Sequence, residues 1–231
     1  MHVIYRMSDA SNVVARPAYV TLQNCFLNFL NNVDFKSIDI IMDNVTDETA
    51  DWVNSIIHGA PQAQIYRTSS NNAESFKLAL DLALEHSENE IIYFVEDDYI
   101  HAHNSTAILL EGLEISNYVS LYDHPDKYGS IYNYAEDTIT YVSKSVHWRR
   151  TISTPMTFAC HVKTLVRDKE IILESLKNRT MTWSSKMFKD LAAHYNEKQV
   201  MTPMPSYATH GMTMWVAPLR DWEQVMWESL K

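Results

Sequence analysis

Ile91-Ile-Tyr-Phe-Val95-Glu96-Asp97-Asp98 decides the reading of this chain. Five apolar residues without a polar interruption suit a strand buried on both faces, as in the centre of a parallel sheet. Three carboxylates follow at once. Strand side chains alternate, so Glu96 and Asp98 are expected on one side and Asp97 on the other. In open parallel sheets the ligand crevice lies beyond the carboxyl ends of the strands. Adjacent carboxylates there repel one another unless something positive relieves them. Mg2+ or Mn2+ does so, commonly using one or two carboxylates together with phosphate oxygens. The competing reading is a solvated acidic turn.

The preceding ninety residues supply the rest of such a sheet. His2 to Arg6 is a short β-favouring run, and Pro17 suits the first turn of a helix carrying Val20, Leu27 and Leu30. Ser37 to Met42 reads as a strand ending at Asp43-Asn44. Thr46 then caps a helix with Trp52, Val53, Ile56 and Ile57 on one face. Ala63 to Arg67 is a third strand. Ser70, Asn71 and Asn72 offer caps for a helix in which Phe76, Ala79, Leu80, Ala83 and Leu84 form one apolar stripe. Strands alternating with helices predict an α/β fold with a doubly wound, mostly parallel sheet.

After residue 100 the pattern loosens. Helices are expected over 104–115, 163–176 and 184–196, and strands over 118–122, 138–142 and 155–161. From Val200 onward, Pro203, Pro205, Gly211 and Pro218 among aromatics predict strand and ordered loop folding back across the sheet.

Composition removes whole classes of function. The chain has 231 residues, 46% of them hydrophobic and 21% charged, which suits one globular domain and argues against disorder. Its four glycines, Gly59, Gly112, Gly129 and Gly211, are never closer than 17 residues. Dinucleotide loops, Walker A loops and glycine-flanked nucleophile elbows all need clustered glycines, so they are excluded. A phosphorylated ligand must then be held by a metal or by cationic side chains. The net charge of −10 disfavours nucleic acid and anionic membranes. No apolar run is long enough to span a bilayer, and no secretory leader is evident, so a cytoplasmic, soluble protein is expected. Cys25 and Cys160 form no CxxC pair and are expected as buried thiols.

The acidic triplet after a fourth strand resembles the GT-A class of nucleotide-sugar glycosyltransferases. Their fold begins with a Rossmann-like half, and their DxD motif occupies this place, in some members as Glu-Asp-Asp. The resemblance implies a mixed, mostly parallel central sheet flanked by helices. It implies a single domain over 1–231, with 1–100 binding the nucleotide sugar and 101–231 the acceptor. The implied reaction moves a sugar from a nucleoside-diphosphate sugar, a UDP-sugar first, to a glycan or other hydroxyl. Mn2+ or Mg2+ is the implied cofactor, with Asp98 as direct ligand. Glu96 supports the metal's waters or the ribose, and Asp97 contacts the donor sugar. His210, late in the chain beside Gly211, is the second expected ligand, and an imidazole suits Mn2+ better than Mg2+.

Arg6, Ser8, Asp43, Arg67, Asn71 and Asn72 stand where such enzymes contact the donor, although Asp43, Asn71 and Asn72 also read as caps. In 146–158, Trp148 suits sugar stacking or the core, while Arg149 and Arg150 suit diphosphate or charge balance. The segment also fits small glycosyltransferases of bacterial and viral glycan pathways. His101 and His103 share a strand face, yet no third ligand is evident, so both are expected to be structural. The stretch 181–188, where an inverting relative would carry its base, has no Asp or Glu. Asp123, Asp126, Glu136 and Asp137 are the substitutes in intervening loops. No base is assigned, and a retaining mechanism stays open. The alternatives are a nucleotidyltransferase, which usually needs a glycine-rich N-terminal loop, and a non-catalytic nucleotide- or glycan-binding domain.

Overall fold

A computed structural model of the chain describes residues 1–10, 14–60, 62–128, 139–177 and 183–231. Four parallel strands form its first half: β1 (His2–Met7), β2 (Ser37–Asp43), β3 (Ala63–Thr68) and β4 (Ile91–Glu96). The helices between them are α1 (Leu22–Asn32), α2 (Asp47–Ile57) and α3 (Asn72–Ala83). Next come β5 (Tyr99–His101), α4 (Ser105–Leu113), β6 (Tyr118–Val119), β7 (Thr140–Val142), β8 (His147–Thr151) and β9 (Phe158–His161). The chain ends with α5 (Val162–Lys177), α6 (Trp183–Tyr195), β10 (Val200–Met204), β11 (Ala208–His210) and α7 (Trp222–Ser229).

One nine-stranded sheet carries the order β3-β2-β1-β4-β9-β6-β10-β8-β7. Among the described strands, only β9 and β8 run against the rest of it. This is the mixed, mostly parallel sheet expected from the sequence. Its two faces are set by alternation along β1. Val3, Tyr5 and Met7 pack with Phe26 and Phe29 of α1 and Val53 of α2. Ile4 packs on the opposite face with Phe76 and Leu80 of α3, Leu165 of α5 and Phe188 of α6. Each fully buried aromatic or branched side chain contributes roughly 1.5–3 kcal/mol.

Local chemistry places the helix starts. Thr46 accepts from the Thr49 N–H and Asn71 from the Glu74 N–H, as expected. Pro17 does not open α1. Its carbonyl accepts the Val20 N–H in a turn, and the helix begins at Leu22 with Thr21 as cap. Two expected strands are shorter than their apolar runs. The Thr157 hydroxyl accepts the Glu96 N–H and its carbonyl accepts the Ser120 hydroxyl, which ends the ladder beside β9 and β6.

The segment after Val200, expected as strand and loop, also contains helix α7. Asp221 caps it, and Ser229 accepts from Asn28 of α1 through its hydroxyl and from Asn31 through its carbonyl. A separate ribbon pairs β5 antiparallel with β11, setting His210 opposite Tyr99. That pairing brings the end of the chain to the acidic turn. No described helix is long and apolar enough to cross a membrane.

Candidate active site

Strand β4 ends at Glu96, which lies in register with Arg6 on β1. Asp97 and Asp98 form the turn into β5, so strand alternation stops there. The expected split of the three carboxylates to opposite sides is therefore not found. All three line one cleft of about 500 Å3 at the carboxyl edge of the sheet. The cleft sits at the β1–β4 boundary, where strand order reverses.

Each carboxylate has its own partner, two of them charged and one a backbone N–H. Arg6 donates to Glu96 Oε1 at 2.7 Å and, through its other amine, to the carbonyl and side-chain oxygen of Asn72. The Ser8 backbone N–H donates to Asp97 Oδ2 at 2.7 Å. Asp98 Oδ2 lies 3.0 Å from Arg16 Nη2 and 3.2 Å from His210 Nε2. Asp98 Oδ1 is buried and has no hydrogen-bond partner among the described residues. An unpaired carboxylate oxygen beside an imidazole nitrogen is a donor set that fits Mn2+ better than Mg2+, with phosphate and water to complete the shell.

Burial raises the Glu96 carboxyl despite the opposing Arg6. Burial, then repulsion from Asp98, pushes the Asp97 carboxyl up to about 7 against the Ser8 N–H. Burial also works against ionised Asp98, but His210 and Arg16 outweigh it and hold that carboxyl below the ordinary range. Desolvation disfavours protonated His210, yet Asp98 raises its affinity for a proton overall. In the absence of an ion, protons and Arg16 balance the cluster.

Arg6, Ser8, Asp43, Asn71, Asn72 and His210 also line the cleft. Asp43 Oδ1 accepts from the hydroxyls of Thr68 and Ser70 and from the Ser70 N–H, so it shapes the loop after β3. The remaining expected residues are not brought there. Arg67 ion-pairs with Asp47 at 2.6 Å and also donates to the Val45 carbonyl. Trp148 is 0% exposed and offers no face to a sugar. Its ring lies against Gly112, and its indole N–H donates to Ser143. Arg149 is buried on Asp123, 2.6 Å away. Arg150 ion-pairs with Glu197 beside a small pocket lined by 113–117 and 197–199, remote from the acidic turn.

Of the alternative bases, Asp123 has both oxygens occupied, by Arg149 and by the Tyr128 hydroxyl. Asp126 pairs with His124 and Lys127. Glu136 and Asp137 lie outside the described residues. His101 is buried with its ring against the Tyr93 hydroxyl, and desolvation lowers it to about 3, while His103 is exposed. Both cysteines are free and buried. Arg16 and Ser75 line the cleft but carry no local sequence signal, being single polar residues whose placement depends on tertiary contacts, while Ser70, expected as a cap, lines it too.

The family model for Glycosyl transferase family 2 matches residues 13–171. A comparison with curated protein sequences finds no match. Solved structures share the fold at low identity. One is 4-diphosphocytidyl-2C-methyl-D-erythritol synthase of Anaerococcus prevotii, at 10% identity and TM-score 0.51, covering 99% of this chain and 94% of that one. Another is the Francisella tularensis 2-C-methyl-D-erythritol 4-phosphate cytidylyltransferase, at 13% and 0.50, covering 97% and 99%. The 1–349 fragment of S. aureus TarS matches at 14% and 0.50, covering 87% of this chain, which spans 58% of that fragment. At these identities the likeness is one of fold alone. The family match covers well over half of the sequence and includes the acidic turn: the chain has the GT-A fold and belongs to glycosyl transferase family 2.

Proposed function

We propose that the chain transfers a sugar from a nucleoside diphosphate sugar, with UDP as the first nucleotide to test, to a hydroxyl of a glycan acceptor. Residues 1–100 form the donor half and 101–231 the acceptor half. Asp98 and His210 hold Mn2+ or Mg2+. The observation that carries this reading is the buried, unpartnered Asp98 Oδ1 at the carboxyl edge, 3.2 Å from His210 by its other oxygen.

The bound ion supplies positive charge where the diphosphate leaving group gathers negative charge. The chain's own residues do the rest. Arg6 locks Glu96 to the start of α3 and so fixes the cleft's width. Asn71 and Asn72 line the donor side at that helix start, and Asp43 holds the loop against which the base rests. The Ser8 N–H fixes Asp97 toward the donor sugar. Arg16, which lines the cleft and pairs with Asp98 here, would offer its guanidinium to the diphosphate.

Nucleotidyl transfer is the second reading, raised by the full-length likeness of fold to the structure whose name is a cytidylyltransferase. Against it stands the absence of any glycine between Arg6 and Arg16. The deciding experiment is hydrolysis of UDP-, GDP-, CDP- and dTDP-sugars with and without Mn2+, alongside nucleoside triphosphates, with Asp98→Ala as control. Metal-dependent release of one nucleoside diphosphate, lost in the variant, supports glycosyl transfer and names the donor. Turnover of a triphosphate alone supports the second reading. Binding without any turnover leaves only a nucleotide- or glycan-binding domain.

A further inference from the structure

A second group of metal-ligating side chains lies at the edge of the sheet away from the cleft. His2 opens β1, Asp39 lies on β2, and His86 follows α3. Strand register explains the meeting. His2 pairs with Ser37 and Ile4 with Asp39, so His2, Ser37 and Asp39 share the face that α3 covers. His2 and Asp39 are buried, and His86 is half-buried. One ligand atom from each of the three lies within 4.8 Å of the other two, and no other such trio occurs among the described residues.

Three features point to a cation there. His2 Nδ1 is hydrogen-bonded to the Ser37 hydroxyl at 2.7 Å, which orients the ring and leaves Nε2 to face Asp39. That Nε2 lies 3.2 Å from Asp39 Oδ2, yet it is buried and makes no hydrogen bond. Second, the His2 and His86 rings lie with centroids 4.0 Å apart, an arrangement that keeps two imidazoles on one small volume. Third, burial and the neighbouring His2 hold His86 below the ordinary imidazole range despite the charges of Asp39, Glu90 and Glu85, so carboxylates stand nearby while the ring itself stays neutral, the form that ligates a metal.

We propose that His2, Asp39 and His86 form a structural site for a borderline divalent cation, Zn2+ by preference, that clips the starts of β1 and β2 to the turn after α3. Two imidazoles and one carboxylate with an open fourth position are a ligand set that zinc accepts, whereas Mg2+ and Ca2+ prefer oxygen alone. Ligand atoms about 3.4 Å apart surround a tetrahedral zinc. His2 and Asp39 already stand at that spacing, 3.2 Å apart, and binding would draw the His86 nitrogen in from within 4.8 Å of them. Ser37 is the outer partner that holds the His2 tautomer, as such partners do in zinc sites.

The test is titration of metal-free protein carrying Asp98→Ala with Co2+, read by visible d–d absorption, and competition by Zn2+. The Asp98 variant removes the cleft from the measurement. The expected result is one tetrahedral cobalt, displaced by Zn2+, with affinity lost by about 100-fold or more in His86→Ala and recovered in His86→Cys, which restores a zinc ligand. Ser37→Ala should weaken binding by about 10- to 100-fold. Far-UV dichroism confirms that each variant is folded. The proposal is overturned if no tetrahedral absorption appears, or if His86→Ala binds as tightly as its parent. In either case His2 and Asp39 are a buried polar contact only.

Discussion

The Gly211 N–H donates to the Asp98 carbonyl at 2.7 Å, joining the last strand of the ribbon to the acidic turn by main chain. A Cβ on residue 211 would lie 2.8 Å from that same carbonyl and 2.4 Å from Val20 Cγ1. Backbone cannot retreat as a flexible side chain can, so Gly211→Ala must push β11 away from the turn. His210 moves with it. We expect a loss of about 1–3 kcal/mol of stability from overpacking. We also expect Mn2+ affinity to fall by roughly tenfold or more, because the His210–Asp98 geometry opens. Urea unfolding and Mn2+ titration read the two effects separately. An alanine variant with unchanged Mn2+ affinity would show that His210 is not a ligand.

Arg16 offers a sharper test of the donor site. Its Nη2 pairs with Asp98 while its Nε is buried without a hydrogen-bond partner among the described residues. A guanidinium with a donor to spare at the cleft is suited to phosphate oxygens. Arg16→Ala should raise the donor KM by about 10-fold or more, since charge-assisted hydrogen bonds contribute about 1.5–3 kcal/mol. Arg16→Lys should recover only part of this, because lysine keeps the charge but not the fork. If the alanine variant changes neither KM nor kcat, Arg16 is a structural partner of Asp98 alone.

The acidic turn was legible because a buried strand precedes it. Residues 91–95 fix the position of Glu96, and the carboxyl edge of a parallel sheet does the rest. The same holds for α2 and α3, whose caps Thr46 and Asn71 stand next to their apolar stripes. What the pattern could not reveal is which side chains meet from afar. Arg16 reaches Asp98 across 82 residues, and the turn that unites Asp97 with its neighbours breaks the alternation assumed for a strand. Trp148 looks the same in sequence whether it stacks on a sugar or fills the core. Only its contact with Gly112 decides. Helix α7 had a readable signature, Asp221 as cap with Trp222, Val225 and Met226 at helical spacing, but the nearby prolines favoured loop.

The pH dependence of stability should show two buried groups acting in opposite directions. His101 titrates near 6.5 when unfolded and at about 3 when folded, because burial disfavours its cation. Between those values the unfolded chain binds the extra proton, so stability falls as pH falls from 6.5 toward 3. Asp97 goes from 3.8 to about 7 on folding. Between those values the folded chain holds the extra proton, so stability falls as pH rises from 3.8 toward 7. Each group alone contributes a slope of at most about 1.4 kcal/mol per pH unit. Urea unfolding in EDTA across pH 4–7 should show His101→Gln steepening the loss toward neutrality and Asp97→Asn removing it. Parallel profiles for the two variants would contradict both assignments.

Gly112 and Trp148 provide the test of the core between α4 and β8. Gly112 lies on α4, and a Cβ there would sit 2.6 Å from Trp148 Cη2, 2.9 Å from Cζ3 and 2.9 Å from Val119 Cγ1. Helix propensity alone would make alanine better than glycine by about 1 kcal/mol. Here the indole cannot move aside easily, because its N–H is held by Ser143 at 2.6 Å and its ring is fully buried. Overpacking of about 1–3 kcal/mol therefore exceeds the propensity gain, and Gly112→Ala should be net destabilising. The measurement is the urea midpoint of Gly112→Ala beside Gly112→Ala/Trp148→Phe. The smaller ring relieves the clash, so the double variant should lose less than the sum of the two single changes. Simple additivity would mean that the indole does not oppose the Cβ, and that α4 packs farther from β8 than described.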